Sequence, residues 1–284
     1  MTTDLQFRHA RPGRKAAIIL CELLLIFYVL LIVCPLANMI ISSFKTTREI
    51  FKAPLAFPKK FNFNNYKIVW IDKGFWRYFV NSVWITTVSM AVVLLFGSMA
   101  AYGVSRFKFK MNTFIYMMFL SGIMLPLKAA IIPLFLIMKN LNLVDNPLSV
   151  ILIFIAMGLP STVFILSGFM KSVPGELEDA ARIDGCSEWG IYRKVVMPVV
   201  SPAISLVTIY NAVPIWNDFF FPLVFLQSDT YKTLPVGLTS FFGQYSTEWG
   251  LLFAGLSIAI VPVLVLYLCM SNYFIRGMTA GAIK

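Results

Sequence analysis

Apolar residues in this chain neither alternate nor keep to one helical face; they run on, around the whole circumference, in six long stretches. The stretches lie at about 16–41, 78–105, 111–138, 146–170, 199–226 and 250–275. A helix needs roughly 20 predominantly apolar residues to cross about 30 Å of hydrocarbon, and each stretch supplies them. The first contains one charge, Glu22, the third Lys128 and the fifth Asp218, while the other three contain none. As a set, such stretches have no explanation in a water-soluble fold. They predict an all-α membrane protein of six transmembrane helices, with 1–15 as an N-terminal segment, 16–275 as one membrane domain and 276–284 as a tail.

Prolines punctuate these stretches: Pro126 and Pro133 in the third, Pro160 in the fourth, Pro214 and Pro222 in the fifth, Pro262 in the sixth. Each removes a helical donor, and in lipid the freed backbone must be satisfied by a neighbour or a cavity. Ordinary kinking of the bundle and a channel-lining or moving role suit these prolines equally well. Small residues at Gly97, Ser98, Ala100, Ala101 and Gly103, and again at Ala254, Gly255, Ser257 and Ala259, permit close helix approach. They suit packing within the chain as well as a subunit interface.

Composition agrees with the patterning. Of 284 residues, 59% are hydrophobic and 13% charged, against roughly 25% charged in soluble domains. The net charge of +11 comes from cations between apolar runs, which suits membrane flanks and argues against nucleic acid as a partner. Six spans put both termini on one side. Lys and Arg lean slightly to that side, most densely at Arg106, Lys108 and Lys110, which favours a cytoplasmic placement. Cys21, Cys34 and Cys269 sit in apolar runs and Cys186 in a polar loop, with neither metal-ligand spacing nor a disulfide framework. The lone histidine, His9, leaves little room for imidazole chemistry. The first apolar run is too long for a cleavable signal.

Between the fourth and fifth stretches lies a polar loop, 171–198, that holds five of the thirteen acidic residues: Glu176, Glu178, Asp179, Asp184 and Glu188. Pro174 suits a first helical turn, and carboxylates follow where the helix dipole favours them. Leu177, Ala180, Ala181 and Ile183 make an apolar, small-residue face at helical spacing. Gly185 can end the helix in a left-handed conformation, and Ser187 can cap a second helix through Lys194. Helices that lie on bilayers are usually rich in Lys and Arg. This acidic one instead suits a groove in a protein partner.

The spacing here is distinctive. Asp179-Ala180-Ala181, three residues, Gly185, nine residues, then Val195-Val196-Met197-Pro198 resembles the EAA loop of ABC importer permeases: E-A-A, three residues, G, nine residues, I-x-L-P. Asp179, Val195 and Met197 stand in for the family's Glu, Ile and Leu. Further runs are similar to carbohydrate importers in particular: Leu159-Pro160, Gly168-Phe169-Met170, Trp216-Asn217-Asp218-Phe219 and Thr233 to Leu238. The ending from Arg276 to Lys284 is similar to the maltose-transporter MalG-like permeases.

The resemblance implies a type I importer permease of MetI-like architecture in a bacterial inner membrane, with a cytoplasmic coupling helix. It implies a second, different permease, two ABC ATPase subunits, a solute-binding protein and surrounding lipid as partners. No GxxxxGK[ST] run occurs, so ATP and magnesium are expected on the ATPase subunits, with no cofactor or metal in this chain and no enzymatic activity of its own. The expected ATPase-coupling residues are Glu176, Glu178, Asp179, Ala180, Ala181, Arg182, Asp184, Gly185 and Pro198. Thr279, Ala280, Gly281 and Lys284 would reach towards the ATPases, and 233–249 would face the binding protein.

Polar groups inside spans are costly, which makes Tyr210, Asn211, Trp216, Asn217 and Asp218 the candidates for a substrate path or gate. Aromatic faces with amide and carboxylate neighbours suit sugar hydroxyls. An ordering role at the membrane interface is the competing account. The expected function is oligosaccharide import, with a non-sugar solute such as a glycerol phosphodiester as the alternative. An ion-coupled secondary transporter would bury several ionisable groups near mid-membrane, whereas Asp218 is almost alone.

Overall fold

In the computed structural model, which describes residues 12–243 and 247–282, the fold is predominantly helical, and among the described residues the isolated Phe242–Thr247 bridge is the one β feature. Helix α1 spans Pro12–Ser43, α2 Thr47–Lys52 and α3 Asn64–Lys67, followed by a π-helical turn at Ile68–Asp72. Then come α4 (Phe75–Arg106), α5 (Asn112–Met124), α6 (Ile131–Asn140) and α7 (Pro147–Lys171). The loop helices are α8 (Gly175–Ile183), α9 (Glu188–Ile191) and α10 (Met197–Val199), with a π-helical turn at Tyr192–Val196 between the last two. The series ends with α11 (Ser201–Asn217), α12 (Phe220–Phe225), α13 (Leu234–Gly237) and α14 (Trp249–Ala282).

Among the described residues, four helical segments are long and apolar enough to cross a membrane: Ile18–Ser43, Phe75–Arg106, Pro147–Lys171 and Trp249–Met270. A fifth arises if Glu188–Val199 and Ser201–Asn217, bent by 76° to each other, count as one. The 111–138 stretch, read from sequence as one rod, is two helices. The cause is Pro126: it forces Leu125 into an extended conformation (φ −78°, ψ 121°), and α5 stops there. The fifth stretch breaks similarly after Asn217. Asp218 is extended, and its Oδ1 accepts the Phe221 N–H (2.9 Å), capping the short helix α12.

The chain divides into two compact units. The described parts of Met1–Asp72 and Phe241–Ile258 form one. Its fixed point is Lys45, 1% exposed, whose Nζ donates to the carbonyls of Ala53 (3.3 Å) and Pro54 (3.1 Å) where α2 ends. Buried Asn65 donates to the Ser43 and Lys45 carbonyls. Side chains along α1 from Ile19 to Val33 are exposed and, apart from Glu22, overwhelmingly apolar, as suits a lipid-facing helix.

Lys73–Ser240 with the described part of Ala259–Lys284 forms the other unit, built on α4 packed along α7. Their approach is close because Gly97 and Gly158 carry no side chain. A Cβ on Gly97 would collide with Thr162, and one on Gly158 would lie 2.9 Å from Val93. One apolar cluster gathers Ile85, Val150, Phe154, Phe221 and Phe225; a second gathers Leu166, Met170, Ile191, Val196 and Val207. The second cluster is the bed of the polar loop.

Candidate functional site

The 171–198 loop takes the predicted helix–turn–helix form. Pro174 precedes α8, and Glu176 and Glu178 occupy its first turn. Gly185 has φ +79°, and the Cys186 N–H returns to the Ala181 carbonyl at 2.9 Å, closing the helix. Ser187 Oγ accepts the Gly190 N–H and opens α9.

The faces of α8 divide sharply. Glu176, Leu177, Asp179, Ala180, Ile183, Asp184 and Gly185 are exposed, as is Pro198 further on, and Ile183 reaches 87%. Ala181 and Glu178 instead turn into their own chain. Glu178, 3% exposed, sets its Oε1 2.6 Å from Arg106 Nε. That contact is an ion pair off the N–H direction, while Arg106 Nη2 donates to the Val173 carbonyl at 2.8 Å. Glu178 is thus a support beneath α8 and not part of its outer face. Arg182 ties the loop together by reaching Asp179 (2.8 Å), Glu188 (2.9 Å) and Glu178 (3.7 Å).

Three residues support the loop in a way the sequence did not reveal: Ser98 and Arg106 stood out there only for packing and charge, and Tyr102 not at all. Ser98, Tyr102 and Arg106 lie on one face of α4, spaced by four. Ser98 Oγ is 2.8 Å from the Tyr192 hydroxyl, and Tyr102 donates to Glu188 Oε2 at 3.3 Å. The Tyr102 and Tyr192 rings lie 5.3 Å apart, and Trp189 packs on Tyr192 at 5.1 Å. The i, i+4, i+8 spacing of polar groups at the end of an apolar run was the available signal.

A second candidate site is a cavity of about 970 Å³ lined at both helix breaks, by residues from Leu125 to Lys128 and from Asn217 to Phe220. Four of the five expected path residues line it: Tyr210, Asn211, Asn217 and Asp218. Tyr210 is more than half exposed. Buried Asn211 donates to Thr162 Oγ1 (3.3 Å) and the Val207 carbonyl (3.1 Å) and accepts from Ser161 (3.0 Å). Asn217 donates to the Val213 carbonyl. Lys128, not among the expected path residues, also lines the cavity, with its Nζ 3.7 Å from Asp218 Oδ2 and 5.9 Å from the Phe220 ring centre. Trp216 does not join them. Its Nε1 donates to the Ala259 carbonyl (3.1 Å), and it lines a separate, mostly apolar pocket of about 170 Å³.

Helix α4 is also bonded near its start. Asn81 Nδ2 donates to the carbonyls of Thr230 (2.8 Å) and Lys232 (3.0 Å), and Ser82 Oγ accepts the Leu234 N–H (2.8 Å). Nearby, Asp145 (φ 60°) accepts at Oδ1 from the Gln227 and Ser228 N–H groups and the Ser228 hydroxyl. The Ser228 N–H above all holds its carboxyl below the usual carboxylate range. Thr279, Ala280 and Gly281 continue the backbone of α14, whereas Lys284, His9 and 244–246 lie outside the described residues.

A family model described as "Binding-protein-dependent transport system inner membrane component" matches residues 93–280. The arabinooligosaccharides transport system permease protein AraQ of Halalkalibacterium halodurans is 36% identical over 278 residues, 95% of this chain and 99% of the relative. The diacetylchitobiose uptake system permease protein NgcG of Streptomyces coelicolor is 32% identical over 277 residues, 97% of this chain and 91% of the relative. Among solved structures, a chain of a bacterial ABC transporter involved in the import of the acidic polysaccharide alginate matches with TM-score 0.82 and 22% identity. It covers 93% of this chain and 99% of its own and establishes likeness of fold.

Proposed function

The chain belongs to the family of binding-protein-dependent transport system inner membrane components, and from that premise we propose that it is a permease subunit importing an oligosaccharide. The kinship with AraQ and NgcG, both named for oligosaccharide uptake, favours a sugar over a phosphodiester. In this reading the chain crosses the bacterial inner membrane six times, with α5 and α6 together making one interrupted crossing and α11 and α12 another. Both termini and the 171–198 loop face the cytoplasm, and the 230–243 region faces outside.

The observation that carries the proposal is the geometry of α8. Its outer face presents Leu177, Ala180 and Ile183 rimmed by Glu176, Asp179 and Asp184, while buried Glu178 and Ala181 fasten it from beneath. A helix exposed on one side and bolted on the other is built to receive force from a docked partner. That partner is an ATPase subunit, one of two that bind ATP and magnesium and carry out the hydrolysis; this chain supplies movement and a path. The tail around Thr279–Gly281 would approach the same partners. ATP binding would draw the ATPases together, and the spans would exchange outward- and inward-open states. A second, different permease would complete the path, and a solute-binding protein would deliver the sugar.

The cavity between the helix breaks is the proposed portion of that path in this chain. Tyr210, Asn217, Asp218 and Lys128 offer hydroxyl-scale donors and acceptors beside Phe219 and Phe220. Purified complex should hydrolyse ATP several-fold faster with its binding protein and the right oligosaccharide. Unchanged hydrolysis across a carbohydrate panel would overturn the substrate class. A cysteine at Ile183 should crosslink to the ATPase and resist external labelling; labelling from outside would invert the topology.

A further inference from the structure

Helix α4 is fastened by polar side chains at both ends to different loops. Towards its C-terminal end, Ser98, Tyr102 and Arg106 hold Tyr192, Glu188 and Glu178 of the 171–198 loop. Towards its start, Asn81 and Ser82 hold the backbone at Thr230, Lys232 and Leu234, and the Tyr78 ring packs against Gly237. Between these sets the helix is unbroken over 32 residues, about 48 Å at 1.5 Å per residue.

Its sequence is also set apart from its neighbours. The other described helices longer than twenty residues each contain an internal proline: Pro35 in α1, Pro160 in α7 and Pro262 in α14. Helix α4 has none, so every interior hydrogen bond can form, and no hinge interrupts it. Between the Ser82 and Ser98 contacts it bears on α7, where Val93 meets Gly158 and Gly97 meets Thr162 with no room for a further side chain. A stiff helix, clamped at both ends and bearing on a neighbour between them, transmits displacement instead of absorbing it.

We propose that α4 is a coupling rod that carries movement of the 230–237 segment to the 171–198 loop and back, with Asn81 and Arg106 as its end clamps. The proposal rests on the reading above, in which the first segment meets the binding protein and the second the ATPase. The far clamp is the stronger: Arg106 and Glu178 are mostly shielded from water, and separating them strands a carboxylate. Because coupling between sites is reciprocal, the same rod would report the nucleotide state to the outer face.

The test uses the whole complex in nanodiscs, with binding protein and a transported sugar. Basal hydrolysis and stimulated hydrolysis are measured there, and sugar moved per ATP in proteoliposomes. Asn81→Ala with Ser82→Ala should lower stimulation at least about fivefold, the lower end of ordinary coupling, and leave basal hydrolysis within about twofold. Arg106→Gln should lower sugar moved per ATP, and Arg106→Glu with Glu178→Arg should restore part of it. Joining Asn81→Ala to Arg106→Gln should add little to the larger single loss, since one rod fails once.

Thr87→Gly with Ala91→Gly, at exposed sites midway between the Ser82 and Ser98 contacts, should soften the rod and reproduce the lost stimulation. Full stimulation in assembled Asn81/Ser82 or Thr87/Ala91 variants would overturn the rod, as would additive losses from the two ends. A wild-type complex that no carbohydrate stimulates would overturn the transport reading, and the rod with it.

Discussion

The loop at 171–198 and the cavity at Asp218 use the same kinds of side chain for opposite ends. At the loop, Arg106, Glu178, Arg182, Asp179 and Glu188 are matched within one network, and its buried carboxylate, Glu178, faces two of the cations. At the cavity, Lys128 is 63% exposed and stands 3.7 Å from Asp218, while Tyr210 is more than half exposed. Side chains already paired with one another fix a shape that can be pushed. Side chains loosely paired around a space can exchange partners with a passing solute at little cost. The difference separates the part of this permease proposed to transmit force from the part proposed to meet the sugar.

The sharpest way to break the comparison is Glu178→Leu. It leaves Arg106 enclosed without its carboxylate, and losing one member of a buried pair costs about 3 kcal/mol or more. The purified complex should melt at clearly lower temperature; an unchanged midpoint would remove the loop's claim to be pre-paired. Gly185→Val should come next. A β-branched residue at φ +79° costs about 1–2 kcal/mol, and with open space around Gly185 the effect is backbone strain. Uptake should fall to background while the complex still assembles, and wild-type uptake would sink the docking role of this turn.

Lys128→Ala probes the other side of the comparison. Its effect on stability should be within about 0.5 kcal/mol, as for exposed positions, whereas sugar uptake should drop several-fold. Unaltered uptake kinetics would take the cavity out of the path. The smallest effect belongs to Asp145, whose Oδ1 accepts three hydrogen bonds and which lies outside both sites. Its carboxyl is held low in the folded chain, so its contribution is present above the unfolded value near 4 and is lost as pH falls through the depressed native value. Wild type should therefore exceed Asp145→Asn in melting temperature at neutral pH, and the gap should close in acid. Asparagine tolerates the left-handed backbone there, so a gap that persists at every pH would point to packing.

Much of this was readable from sequence because lipid and helix termini impose local rules. Uninterrupted apolar runs announced a membrane bundle, since hydrocarbon cannot satisfy a polar group. Pro174, Gly185 and Ser187 marked the turns of the loop, since each acts through its own backbone or that of a near neighbour. The spacing from Asp179 to Pro198 pointed to the family that the comparisons then showed. What the chain's order could not reveal was which side chains meet across it. Glu178 belongs under α8 because Arg106, seventy-two positions earlier, lies there. Trp216 leaves the cavity because α11 turns it towards Ala259, and Lys128 enters because Pro126 breaks a stretch whose hydrophobicity looks continuous. Hydrophobicity and turn chemistry are properties of a segment, so the sequence by itself determined the apolar stretches and the turns of the loop. Pairing and cavities depend on the rotation and contact of distant helices, so the tertiary structure alone decided them.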